Sequence, residues 1–555
     1  MSNRIFYGLL ACCGLVYLLA MWLIPVIDID AAQYASISRE MLDNGSYLKV
    51  YDMQRDYLDK PPLLFWLSSQ SMRFFGINHF AYRLPSVILL LTAIYATYRF
   101  ASLYYEKLVA QLSALVLATS QAVFLVVHDV RCDTMLMGWV MLSLWQLAAW
   151  YETRQWKHFF MAFTAVAAGM MTKGPIALMV PVFAFVPHFA LRREWKQFFR
   201  WEYIPGLVWV ALLLLPMSIG LYQQYDLEPG KIFNGVPIQS GLRFYYWTQS
   251  FGRYTGENVY HEMSHFTFLL ENMFWSFLPW ILCLLAGLYF GIKLIVQKRF
   301  HLSQTEEGIS IGGFLITYCI LARSQAQLPH YIFVVFPLAA IITARFLHRV
   351  WYTNTLQGWR KPLMVFHTAI FALLWLVVVV LMKWPFPDLS VLFTVAAVGG
   401  LGLFVYLLVR PSVQWPNFIR LACYTAIGVN LFLATGFYPR LLQYQLGNTA
   451  AAAIDALHLD KNKVVQYDID ESRALHFYGK HIFARAQDSS ELRSDQVVLT
   501  RMSALPQLEA RFPAMKIIFE GNYYGVSMLS LPFLNPETRS AETQAYALVD
   551  LDGGK

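Results

Sequence analysis

Apolar runs close to the ~20 residues needed to cross a bilayer recur about thirteen times along this chain, beginning near Ile5, Ala81, Leu108, Asp133, His158, Pro175, Tyr203, Phe274, Gly308, Tyr331, Met364, Leu389 and Phe418. A backbone immersed in lipid must satisfy its own hydrogen bonds, so runs of this length and number specify a bundle of membrane helices. A water-soluble globule is excluded. The composition agrees: of 555 residues 57% are hydrophobic and only 14% charged, against roughly a quarter charged in soluble domains.

The formal net charge of +8 does not point to nucleic acid, because the Lys and Arg residues sit in short clusters between apolar runs and form no basic stripe. They read as topology signals. With Arg4 on the cytoplasmic side, that side also receives Lys107, Arg154 with Lys157, Arg192 to Arg200, Lys298 with Arg299, Arg345 to Lys361, and Arg410 to Arg420, a positive-inside pattern. The run that starts at Ile5 is longer than a signal-peptide core and has no small-residue cleavage site, so it is expected to stay as the first helix. The membrane part then covers 1–436. The outer face receives two long loops, about 28–80 and about 223–270, and a tail over 437–555.

The tail is expected to be a small α/β domain outside the membrane, with strands at 464–467, 497–500, 516–519 and 525–529 and helices near 450–457 and 471–478. Five of the six Cys residues lie in apolar runs, the sixth, Cys132, heads one, and the tail has none, so no disulfide framework or zinc finger follows.

The first outer loop carries the densest chemistry. Apolar residues fall at helical spacing over 31–42 and again over 61–75, which predicts two amphipathic helices lying on the membrane surface. Between them stand Asp59-Lys60-Pro61-Pro62. Asp59 and the prolines suit a helix start, and Lys60 beside a helix N-terminus equally suits a phosphate. Asp30, followed by Tyr34, lies just past the first helix, where a carboxylate is costly unless paired or used. Asp133 heads an otherwise apolar span. For both aspartates the plain alternative is a helix cap. Lys173-Gly174-Pro175, Arg253 and Arg323 put cations on the outer face, against the charge rule. Single cations of this kind usually snorkel, but several converging with carboxylates indicate an anionic ligand. His261 and His265, with Asp59 as a third group, are candidate ligands for a divalent ion, or plain surface histidines.

These residues resemble the bacterial branch of the protein O-mannosyltransferase superfamily, which includes the lipid A aminoarabinose transferases. The carriers are Asp30 with Tyr34-Ala35, Arg39-Glu40-Met41, Tyr57 to Leu64 with Trp66, Arg83-Leu84-Pro85-Ser86, Asp133, Thr172 to Pro175, Pro279-Trp280 and Leu328 to Tyr331. The resemblance is dense over about 1–340. It implies the C-type glycosyltransferase fold and transfer of a sugar from a polyprenyl phosphate, undecaprenyl phosphate in bacteria, at the periplasmic face of the inner membrane. It also implies Asp30 and Asp133 as the catalytic aspartates, Lys60 as the donor-phosphate lysine, and Arg253 and Tyr331 near that phosphate. Where the family often has Glu and Arg after its first aspartate this chain has Ala31 and Gln33, and where it commonly has Lys this chain has Gln327.

The expected activity is therefore transfer of a hexose or pentose to a periplasmic protein, glycan or lipid A. No cofactor is required beyond the lipid-linked donor. A polytopic lipid or solute transporter is the alternative. Its correlates, ionisable residues in mid-helix and paired broken helices, are scarce, and no internal repeat is seen.

Overall fold

The computed structural model describes residues 1–553 apart from 229, 234, 256, 258–264, 325, 354, 387–390 and 410–416. Helices fill the apolar runs. Six of them are long and apolar enough to cross a membrane among the described residues: Asn3–Leu23, His79–Tyr104, Tyr203–Asp226, Pro329–Trp351, Gln357–Lys383 and Phe418–Tyr444. A bent pair makes up to seven. The other expected runs also contain helices, among them Cys132–Thr153, Trp156–Lys173, Ile176–Arg192, Ile281–Gln297 and Ile309–Ala322.

In chain order the elements that frame the site are α1 (Asn3–Leu23), α2 (Asp30–Asn44), the hairpin β1 (Tyr51–Asp52) and β2 (Arg55–Asp56), α3 (Leu63–Phe75), α4 (His79–Tyr104), α5 (Lys107–Ala118), α6 (Gln121–His128), α7 (Cys132–Thr153) and α8 (Trp156–Lys173). The run near Leu108, expected as one span, is two helices that meet at 52°. The break has a local cause. Thr119 and Ser120 turn their hydroxyls back onto the carbonyls of Leu115, Val116 and Leu117, and the Gln121 amide leaves the helix to donate to Leu278 O at 3.0 Å. Helix α7 runs close against α4, because a Cβ on Gly138 would lie 2.4 Å from the Leu89 carbonyl oxygen.

One buried side chain ties these pieces together. Arg83 of α4 is fully buried and donates to Met21 O at 3.1 Å, Pro25 O at 2.8 Å and the Ile24 carbonyl, and twice to His128 O at 2.9 and 3.1 Å. It satisfies carbonyls left over at the ends of α1 and α6. Those ends lead directly into Asp30 and into the segment Asp129 to Asp133.

The two predicted loop helices form, as α2 and α3, but α2 does not show one polar face to solvent. Ten of its residues, from Ala31 to Met41, are buried. The reason is packing on α3 and on the tail. The helix Arg473–Tyr478 packs across α2, and Asp28 accepts hydrogen bonds from Ser472 Oγ at 2.5 Å and Ala474 N at 2.9 Å. Gln445 donates to Val26 O at 2.8 Å and accepts from Asp28 N at 3.0 Å.

The tail is an α/β domain with a five-stranded sheet in the order Ala484–Ala486, Val464–Tyr467, Val497–Arg501, Gln544–Asp550, Lys516–Tyr523. Strand Val464–Tyr467 is parallel to both neighbours, and Gln544–Asp550 is antiparallel to both of its own. Alternate residues face opposite layers. Val464, Val497, Leu499 and Leu548 pack with Ala450 and Ile454, while Val465, Val498, Ala547 and Val549 pack with Ala504 and Leu508. The strand expected at 525–529 is instead a turn, because Ser527 Oγ reaches Asp28 O at 2.5 Å and Val526 enters the membrane-domain core.

Candidate active site

Three carboxylates mark the site, and each is met by a cation from another stretch of chain or from the next residue. Asp30, the first residue of α2, pairs with Arg131, which also holds Asp129 through Nε at 3.0 Å and Nη2 at 2.9 Å. Asp59 pairs with Lys60 Nζ at 2.5 Å and accepts from Gln249 Nε2 at 2.9 Å. Asp133, in the first turn of α7, pairs with Lys173 at the end of α8, and His330 Nε2 lies 3.6 Å from its other oxygen. The Lys173 ammonium also stands 3.9 Å above the Tyr331 ring, a cation–π contact.

These pairs replace the expected caps. Helix α3 starts at Leu63 with Pro62 before it, and no side-chain cap is made there by Asp59; α7 likewise has no side-chain cap bond. Exposure separates the aspartates. The Asp30 side chain is 39% exposed and that of Asp133 only 4%. Burial alone would lower the Lys60 pKa, but the adjacent Asp59 carboxylate, with Tyr331 and Cys132, holds it above the ordinary lysine value. It is a fixed positive charge.

Two cavities share this wall. One of about 780 Å³ is polar, lined by Asp30, Asp52, Asp56 and Asp59 against Arg55, Lys60, Lys231 and Arg473, with Tyr34, His330 and Tyr331. Asp52, Asp56 and Asp59 pair with Arg473, Lys231 and Lys60 on this wall, and Asp30 with Arg131 behind it. The other, of about 560 Å³, is mainly apolar, walled by Leu136, Ile176, Met179, Phe183, Leu321 and Val334, and takes in Lys60, Lys173 and Arg323. Asp59, Lys60 and Tyr331 line both, so they form the threshold between a polar chamber and an apolar one.

Of the residues singled out in the sequence, Asp30, Tyr34, Asp59, Lys60 and Tyr331 line the polar cavity, and Lys173 lines the apolar one. Tyr34 is buried one turn after Asp30, against Phe65. Asp133 lines neither and stands behind Lys173 and His330. Arg253 belongs to the helical turn Gly252–Thr255, and its side chain lies outside the described residues. So does His261. His265 accepts or donates at 2.9 Å with Glu271, and among the described residues no three His, Cys, Asp or Glu side chains gather as metal ligands.

Sequence pattern does not single out Arg131, Lys231 or Arg473, and gives His330 only as a member of the Leu328 to Tyr331 motif. Arg131 and His330 are neighbours of residues that it does single out, two before Asp133 and one before Tyr331. Arg473 has no such signal. It comes from the tail domain, where it pairs with Asp52 at 3.3 Å and Glu471 at 2.6 Å.

Comparison with known proteins adds three findings. The family model described as dolichyl-phosphate-mannose-protein mannosyltransferase matches residues 59–219. Among curated proteins, the undecaprenyl phosphate-alpha-4-amino-4-deoxy-L-arabinose arabinosyl transferase of Erwinia tasmaniensis is 28% identical over 344 residues, 60% of this chain and 57% of that protein. A Pseudomonas fluorescens protein of the same description is 26% identical over 340 residues, 60% of this chain and 58% of its own. The chain thus spans somewhat over half the length of these relatives. Among solved structures, ArnT from Cupriavidus metallidurans bound to undecaprenyl phosphate superposes with a TM-score of 0.71 at 16% identity, covering 99% of this chain and 98% of that one. At that identity the likeness is one of fold.

The Asp133–Lys173 pair generates a stability prediction. Lys173→Met leaves a carboxylate with 4% exposure without its close partner, which typically costs about 3–5 kcal/mol. Thermal unfolding of the purified protein should show a clearly lowered midpoint for Lys173→Met and recovery of most of it in the double variant with Asp133→Leu. Equal midpoints for the single variant and wild type would mean the pair is not a structural unit.

Proposed function

We propose that this chain belongs to the superfamily of protein O-mannosyltransferase-like and aminoarabinose-transferase-like glycosyltransferases and that it moves a sugar from a polyprenyl phosphate, undecaprenyl phosphate in bacteria, to a periplasmic acceptor. The observation that carries this reading is the pair of cavities joined at Asp59, Lys60 and Tyr331. A polyprenyl-phospho-sugar has the same build: a long apolar chain, one phosphate, one polar ring. The isoprene units nearest the phosphate fit the apolar cavity, the phosphate fits the threshold beside the Lys60 ammonium, and the sugar fits the polar cavity.

In the proposed step an acceptor oxygen attacks the anomeric carbon, the bond from that carbon to the phosphate oxygen breaks, and polyprenyl phosphate leaves with the electron pair. Lys60, with Arg253 and Lys173 as further candidates, offsets charge on the leaving oxygen away from bulk water. A hydroxyl acceptor must also lose its proton, and Asp30 is the carboxylate placed to take it, since it lines the polar cavity and is partly exposed. Asp133, the second candidate base by sequence, is assigned a positioning role on Lys173 and His330. The relatives named for 4-amino-4-deoxy-L-arabinose supply the reference sugar. With Gln33 and Gln327 where the family often has Arg and Lys, the site has fewer cations than the family pattern, which favours a hydroxyl acceptor on protein, glycan or lipid A over a phosphate.

The charge asymmetry supports a multi-pass inner-membrane protein of about thirteen spans, with a cytoplasmic N-terminus and the 437–555 domain in the periplasm. Alkaline phosphatase fused after Lys555 is then active. A well-expressed but inactive fusion would reverse this orientation.

The activity is tested with purified protein, a radiolabelled undecaprenyl-phospho-sugar and an envelope acceptor fraction. Label should pass to the acceptor with release of undecaprenyl phosphate, and Asp30→Asn should slow this by about a hundredfold to ten-thousandfold while the variant remains folded. Unbroken donor carried across proteoliposomes would support the transporter instead. Full turnover by Asp30→Asn would remove Asp30 as the base.

A further inference from the structure

The cations on the wall of the apolar cavity are not equivalent. Lys60 is matched by Asp59, and Lys173 by Asp133 just behind it. Those two pairs sum to no charge. Arg323 lines the same cavity, and among the described residues its side chain makes no hydrogen bond or ion pair. It directly follows the helix Ile309–Ala322, with its amide bonded to Ile320 O at 3.2 Å, so the main chain from which it extends is fixed.

Two ordinary roles for an arginine at this place are reduced by the surroundings. One is to cap the helix C-terminus, but Gln327 already does so, its Nε2 donating to Ala322 O at 2.9 Å and Ser324 O at 3.1 Å. The other is to snorkel toward water from a lipid-facing surface. Arg323 instead borders a cavity wall that also holds Ser250, Ser324, Gln249 and Tyr331. An exposed guanidinium on a mainly apolar cavity, with no carboxylate of its own, lacks an anion.

We propose that Arg323 supplies the uncompensated positive charge that binds the phosphate of a lipid-linked donor in the apolar cavity. The inference rests on the donor reading above and deepens it. A polyprenyl-phospho-sugar is a phosphodiester with one negative charge, and the cavity's sum of two neutral pairs plus Arg323 is one positive charge. A planar guanidinium also presents parallel N–H donors to two phosphate oxygens, a geometry well suited to phosphate.

The test is binding and needs no acceptor. Undecaprenyl phosphate and, separately, undecaprenol are titrated into purified full-length wild type, Arg323→Ala and Arg323→Lys, each first checked as monodisperse with an unchanged unfolding midpoint. Arg323→Ala removes a charged hydrogen-bond donor, so it should weaken undecaprenyl phosphate binding about tenfold or more and leave undecaprenol binding unchanged. Arg323→Lys should recover part of that affinity. Equal affinity of wild type and Arg323→Ala for undecaprenyl phosphate overturns the assignment, and so does an equal loss for phosphate and alcohol. If wild type itself does not distinguish undecaprenyl phosphate from undecaprenol, it is the donor reading that fails. An unstable Arg323→Ala is replaced by Arg323→Gln, judged by the same two ligands.

Discussion

Everything at the site end of this bundle hangs from the Arg83 guanidinium. A buried carbonyl at a helix end has no water to turn to, and α1 and α6 both end beside buried Arg83. Arg83 takes three carbonyls around the end of α1 and the carbonyl of His128 at the end of α6. A fully buried guanidinium is costly unless its donors are used. By directing them to two chain ends it fixes, relative to each other, the places from which Asp30 on one side and Arg131 and Asp133 on the other emerge. Asp30 then meets Arg131 across the gap.

From that frame three carboxylates of the site are each paired with a cation. Asp30 with Arg131, Asp59 with Lys60, and Asp133 with Lys173 each neutralise a group that would be costly alone at this depth. The pairing also leaves functional groups poised: a neutralised ammonium keeps donors for a ligand, and a partly exposed carboxylate keeps an oxygen for a proton. The tail domain takes part through Arg473, which pairs with Asp52 and borders the polar cavity. Asp28, held by Ser472 and Ala474, keeps the tail docked there.

Much of this is legible in the residues. Helical spacing locates α2 and α3, strand-like runs locate 464–467, 497–500 and 516–519, and outer-face polarity locates Asp30, Lys60, Lys173 and Tyr331. What local pattern misses, it misses for long-range reasons. The amphipathic pattern of α2 suggests a surface helix, and α3 together with the docked tail helix, more than four hundred positions away in sequence, turns it into a buried one. The segment 525–529 has strand composition but is captured by Asp28. Asp133 reads as a cap or a base, and local pattern does not reveal that Lys173 and His330 stand beside it. Arg131 and Arg473 are arginines among many until the fold aims them. Pairing partners are a property of three-dimensional closeness, and local pattern does not encode them.

The central claim is that the two cavities hold the two ends of one lipid-linked donor, with the phosphate at the threshold between them. Determining the structure of the purified protein with undecaprenyl phosphate bound tests this directly. The account predicts the phosphate beside Lys60 and Tyr331, within reach of Arg323, with the isoprenoid chain along Met179, Phe183 and Val334. A phosphate seated away from that threshold, or an isoprenoid chain lying outside the apolar cavity, would contradict it.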